Sequence, residues 1–70
     1  MKNNLVTGTV RFPVKYEEYG QQILDDDNNS VADIRGWGRI QYLPNAEERQ
    51  DAIGQFIVDA MNEKILGDAK

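Results

Sequence analysis

The chain contains no cysteine and no histidine. Without thiols it has no disulfide framework and no thiolate metal site. Without imidazole it lacks the commonest general base and the commonest ligand for zinc, copper or iron. A nucleophile needs an activating base beside it, and none is offered. Paired carboxylates can do acid–base work, but only in a pocket that holds them apart from bulk water. The few glycines match neither a phosphate-binding loop nor a dinucleotide fingerprint. These absences point away from an enzyme and from a resident cofactor.

Long apolar runs are missing too. No stretch approaches the roughly 20 residues of a membrane span, so no membrane association is expected. The start, Met1-Lys2-Asn3-Asn4, has no signal-peptide apolar core. The chain therefore reads as a cytoplasmic protein and as a complete small gene product.

What is present is 70 residues with 12 acidic and 8 basic side chains, a net charge of −4. That length allows one small domain, which buries only about 60% of its unfolded surface. Small chains lean on disulfides, metals or partners, and here self-association is the support left open. The acidic balance disfavours non-specific binding to nucleic acid or an anionic membrane. It leaves room for a basic partner surface or a local basic patch.

The order of elements reads as an α+β domain: a small antiparallel hairpin or sheet against one C-terminal helix. Residues 5–16 alternate, with Val6, Val10, Phe12, Val14 and Tyr16 on even positions, which predicts a strand. Pro13 marks it as an edge strand or a bulge. Residues 17–24 form a short helix, with Tyr19 and Ile23 at i and i+4, or else a loop. Asp25-Asp26-Asp27-Asn28-Asn29-Ser30 is a turn by composition. Residues 31–43 alternate again, Ala32, Ile34, Ile40 and Tyr42 facing one way, and predict a second strand. Residues 46–66 predict a helix. Asn45 and Glu48 suggest a capping box, and Gly67 suits the position after the helix end. Ile53, Phe56, Ile57, Ala60, Met61 and Lys64 follow the spacing of one helical face. That face is expected to cover Val10, Phe12, Val14, Ile34 and Ile40. Gly54 weakens the helix by about 1 kcal/mol, and a close tertiary contact would account for it. The core is thin, so a homodimer that extends the sheet or pairs the helices is expected.

Three groupings carry chemistry. Asp25, Asp27 and Asn29 share the i, i+2, i+4 spacing that opens an EF-hand loop. Ser30 and Gly36 then stand where that loop needs Gly and Glu, so a solvated acidic turn is the plainer reading. Strand alternation places Arg35, Trp37 and Arg39 on one face, opposite Ile34 and Ile40. If the two strands are neighbours, Arg11 and Lys15 join them. An aromatic plane among cations suits nucleotide bases and phosphates, and it equally suits a protein hot spot. A bulge at Gly36 or Gly38 would instead turn Trp37 into the core. Glu47, Glu48, Asp51, Asp59 and Glu63 line the polar face of the helix. They form an acidic surface for a basic groove, or a plain solvated face.

These residues carry no family motif. The small size, the acidity and the absent cysteine and histidine are similar to phage- or mobile-element-encoded accessory proteins, some of which inhibit host defence systems. That likeness is one of composition and places no residue. The expected function is that of a small acidic interaction protein binding a larger protein or complex. The alternatives are a protein that sequesters an anionic nucleotide on the Arg–Trp–Arg face, and a structural component.

Overall fold

The structure, a computed structural model, describes residues 3–35 and 38–67. Its elements run α1 (Asn3–Thr7), β1 (Lys15–Glu17), β2 (Gln22–Leu24), β3 (Ser30–Asp33), a 3₁₀ turn (Arg39–Tyr42), α2 (Ala46–Asn62) and a π-helical turn (Glu63–Gly67). The three strands form an antiparallel sheet in the order β1-β2-β3. Helix α2 packs on β1 and β2. The fold is the α+β arrangement expected, with one strand more than the sequence predicted.

The strand expected over 5–16 is largely replaced. Residues 3–7 are helical, and only 15–17 pair in the sheet. Local bonds explain the helix: Gly8 N donates to Asn4 O at 3.0 Å and Val10 N to Val6 O at 2.8 Å. The Thr9 hydroxyl adds a bond to Leu5 O at 2.7 Å. An edge strand has no second neighbour to offer this segment, so its amides are satisfied within the chain. Its alternation still had meaning. Val10, Phe12, Val14 and Tyr16 all pack against the core, whereas Leu5 and Val6 are exposed.

Residues 17–24, read as a short helix or loop, form a turn followed by β2. The Glu17 carboxylate accepts the amides of Tyr19 and Gly20 and a side-chain bond from Gln22. Those bonds close the hairpin and hold Glu17 below the usual carboxylate pKa, the Gln22 contact contributing most. Ile23 is buried and Tyr19 fully exposed, so the two do not share a helical face. Strand β3 covers only the start of the stretch predicted over 31–43. Among the described residues Ile34 N makes the last link, to Gln21 O at 3.0 Å. The chain then leaves the sheet, and Arg39–Tyr42 winds into a 3₁₀ turn. Ile40 is half-buried there and Tyr42 exposed. A bulge lies between β2 and β3, where Ile23 pairs with Ala32 and Leu24 with Ser30.

Helix α2 begins where expected but without the expected cap. Asn45 is left-handed, with φ of 56°, and its side chain makes no capping bond. Capping needs an extended backbone at that residue, and the left-handed turn withholds it. Instead the Asn45 carbonyl accepts Arg49 N, and Arg49 Nε donates to Pro44 O at 2.7 Å.

The core is Val14, Ile23 and Val58, ringed by Val10, Phe12, Tyr16, Val31, Ile34, Ile57 and Met61. The expected inward face of α2 is only partly right. Ile57 and Met61 turn inward, but Phe56 is 74% exposed and Ile53 41%. The buried positions are Gln50, Gly54 and Val58. The reason is a close approach. A Cβ on Gly54 would overlap the Tyr16 ring, so the aromatic ring lies directly on the helix backbone. Gln50 reaches the Ile34 carbonyl from the same side. At about 100° per residue, Phe56 then points roughly opposite to Gly54.

Candidate functional site: an acidic cleft beside the hairpin turn

The tight turn between β1 and β2 carries Glu18, Tyr19 and Gln21 out beside the first turns of α2. Glu47 and Asp51 project from the helix toward them. Together these five side chains line a cleft of about 400 Å³. Its described lining holds three carboxylates and no basic side chain. Tyr19 stands fully in solvent at its edge. Gln21 has a left-handed backbone, with φ of 51°, which tightens the turn under Tyr19.

One wall is fixed. The Tyr16 hydroxyl donates to Asp51 Oδ1 at 2.8 Å, which ties the helix to the sheet under the cleft. Burial, and then the neighbouring Asp51 carboxylate, raise the Tyr16 pKa well above the ordinary phenol range. Tyr16 therefore stays a hydrogen-bond donor and holds Asp51 as an acceptor. Glu47 and Glu48 lie in the first turn of α2, where the helix dipole favours negative charge.

Of the expected basic face, Lys15 and Arg35 are not brought together. β2 lies between β1 and β3, so Lys15 and Arg35 fall on opposite edges of the sheet. Arg11 pairs with Asp27 at 3.8 Å, and Arg35 with Asp33 at 3.5 Å. Both pairs are exposed and contribute little. Arg39 opens the 3₁₀ turn and is exposed. Trp37 and Gly36 lie outside the described residues, so the expectations for that aromatic ring stand as they were. Of the acidic helix residues, Glu47 and Asp51 enter the cleft. Glu48 and Asp59 are exposed elsewhere on α2 and Glu63 at the start of the π-helical turn after it, and Asp59 accepts a bond from Gln55 at 2.9 Å.

Glu18 was not singled out in the sequence, and Tyr19 was read there only as part of a short helix. Their signal was available: a short loop containing Gly20 between Tyr16 and Ile23 is a hairpin pattern, obscured by the i, i+4 spacing of Tyr19 and Ile23.

The Asp25 turn is structural. The Asp25 side chain is buried and accepts the amides of Asp27 and Asn29, each at 2.9 Å, and of Arg11 at 3.5 Å. These bonds, the Asn29 amide first, hold its pKa below the usual value. Its oxygens are therefore turned into the loop rather than toward a calcium ion. Among the described residues no cluster of acidic side chains is placed to hold a metal ion, and no helix is long and apolar enough to cross a membrane.

No family model matches the chain, and no curated protein and no solved structure matches it significantly.

Proposed function

We propose that this protein is a non-catalytic binding protein that takes a basic segment of a larger protein into the cleft of Glu18, Glu47 and Asp51, with Tyr19 as its aromatic contact. The observation that carries this reading is the convergence of three carboxylates from two elements around one exposed tyrosine. Carboxylates match lysine and arginine side chains, bidentately in the case of arginine. A tyrosine face adds cation–π attraction. The net charge of −4 steers the same partner toward the protein. A small acidic protein of this kind acts by occupying a basic surface, as an inhibitor of a host complex would. The homodimer expected from the thin core belongs to the same proposal. The separation of Lys15 from Arg35 gives the anionic-nucleotide alternative no comparable support.

The test is titration of the full chain with a short arginine-rich peptide at low ionic strength, followed by NMR. Amide shifts should concentrate at residues 18–21 and 47–51. Neutralising Glu18, Glu47 and Asp51 together should weaken binding by about tenfold or more. Shifts scattered over the surface, or a neutralised variant that binds as well as the parent, would remove the cleft from this role.

A further inference from the structure

Among the described residues the outer stripe of α2 has no partner within the chain. Ile53 and Phe56 are 41% and 74% exposed, and Ala52 and Ala60 beside them are exposed as well. The stripe runs from Arg49 on α2 to Glu63, which continues the helix as the first residue of the π-helical turn, both exposed. Arg49 stands seven residues before Phe56 and Glu63 seven after, two helical turns each way. The apolar surface continues past Ala60 into a groove of about 360 Å³, lined by Val6, Phe12, Ala60, Met61, Lys64 and Ile65.

We propose that a second copy of this chain covers this stripe, with the two α2 helices antiparallel about a two-fold axis at Phe56. This specifies the interface of the homodimer named above, and it uses a different face of α2 from the acidic cleft. The charge pattern selects the second copy as occupant. An antiparallel register centred on Phe56 brings Arg49 of each copy beside Glu63 of the other. One stripe therefore yields two oppositely charged cross-pairs, as an isologous contact requires. The same register brings each Ile53 beside the Ala60 of the second copy, at the mouth of the groove. Small alanines at 52 and 60 allow the helices to approach closely on either side of the central phenylalanines. A parallel arrangement in register would set Arg49 against Arg49 and Glu63 against Glu63. Like charges are unfavourable there, so orientation is fixed by the same two residues. A single helix stripe buries less than the roughly 800 Å² per partner of a standard interface. The association is therefore reversible and concentration-dependent.

Sedimentation of the full chain tests this. The mass should rise from 8.0 kDa toward twice that value as concentration increases. Phe56→Glu should remain monomeric with an unchanged circular dichroism spectrum, since the 74% exposed side chain contributes little packing within the monomer. Arg49→Glu and Glu63→Arg should each weaken the dimer by about tenfold, and the two together should restore it. Phe56→Cys, in a chain with no other cysteine, should oxidise to a covalent dimer, while Gln55→Cys on the flank should not. A wild-type chain that sediments as a monomer at millimolar concentration overturns the proposal. So does a Phe56→Glu dimer as tight as the parent, or a double charge reversal no tighter than either single change. Peptide binding at the cleft is read separately, so a dimer that binds no peptide counts against the cleft alone.

Discussion

The side-chain amide of Asn62 bonds both backbone polar groups of Val14, accepting its N–H at 2.8 Å and donating to its carbonyl at 2.9 Å. Val14 is buried and lies just before β1, beyond the reach of the sheet ladder. The amide thus supplies from the end of α2 the two bonds that a neighbouring strand would have given. Removing it leaves a buried donor and acceptor unsatisfied, at about 1–3 kcal/mol. Asn62→Leu should show that loss by urea denaturation. Asn62→Asp should also destabilise, because a carboxylate accepts the N–H but offers nothing to the carbonyl. A Leu variant as stable as the parent would show that water replaces the amide.

Gly54→Ala should destabilise the protein, against its usual direction. In a helix interior the change ordinarily gains about 1 kcal/mol. Here the new methyl group meets the Tyr16 ring, and overpacking of that kind costs about 1–3 kcal/mol. Combining it with Tyr16→Val should recover part of the loss in a double-mutant cycle. Thermal melting decides the sign, and an Ala variant that melts higher than the parent would contradict the contact.

Phe56→Ala should change monomer stability by no more than about 0.5 kcal/mol, as is usual at exposed positions. Buried as the sequence suggested, the same truncation would cost about 3–5 kcal/mol. Val58→Ala removes far less volume, yet it should cost more, about 1–2 kcal/mol, because Val58 is 2% exposed. Denaturation at low protein concentration, where self-association does not contribute, compares the two directly.

Asp25 should give the protein a stability that depends on acid pH. Its folded pKa lies below its unfolded value because loop amides bond the carboxylate. Below about pH 4 the unfolded chain therefore binds more protons, and stability rises with pH through that window. The contribution is fully present at neutral pH and is lost as pH falls through the depressed folded pKa. Asp25→Asn should flatten this part of the profile, leaving the dependence expected from Glu17, whose pKa is lowered in the same direction. An unchanged slope for Asp25→Asn in denaturation between pH 2 and 5 would count against the assignment.

By itself the sequence determined the helix over most of 46–66. Helical periodicity and its Pro44 and Gly67 boundaries are local signals, complete within that segment. It also marked Val10, Phe12, Val14, Ile34, Ile57 and Met61 as core residues, because alternation and helical spacing report burial whatever the exact backbone. Tertiary structure decided what local signals leave open. The hairpin at 17–24 emerged because Ile23 is worth more buried in a central strand than on a short solvated helix, and because Glu17 caps the turn. The face of α2 turned inward because Tyr16 fits against the backbone only where Gly54 has no side chain, a contact between residues 38 positions apart. That single choice sends Phe56 outward and leaves Asp51 bonded to Tyr16 beneath the cleft. Hydrophobicity counts how much apolar surface a helix carries. Which stripe the core accepts depends on shape, and shape exists only once the sheet and the helix have met.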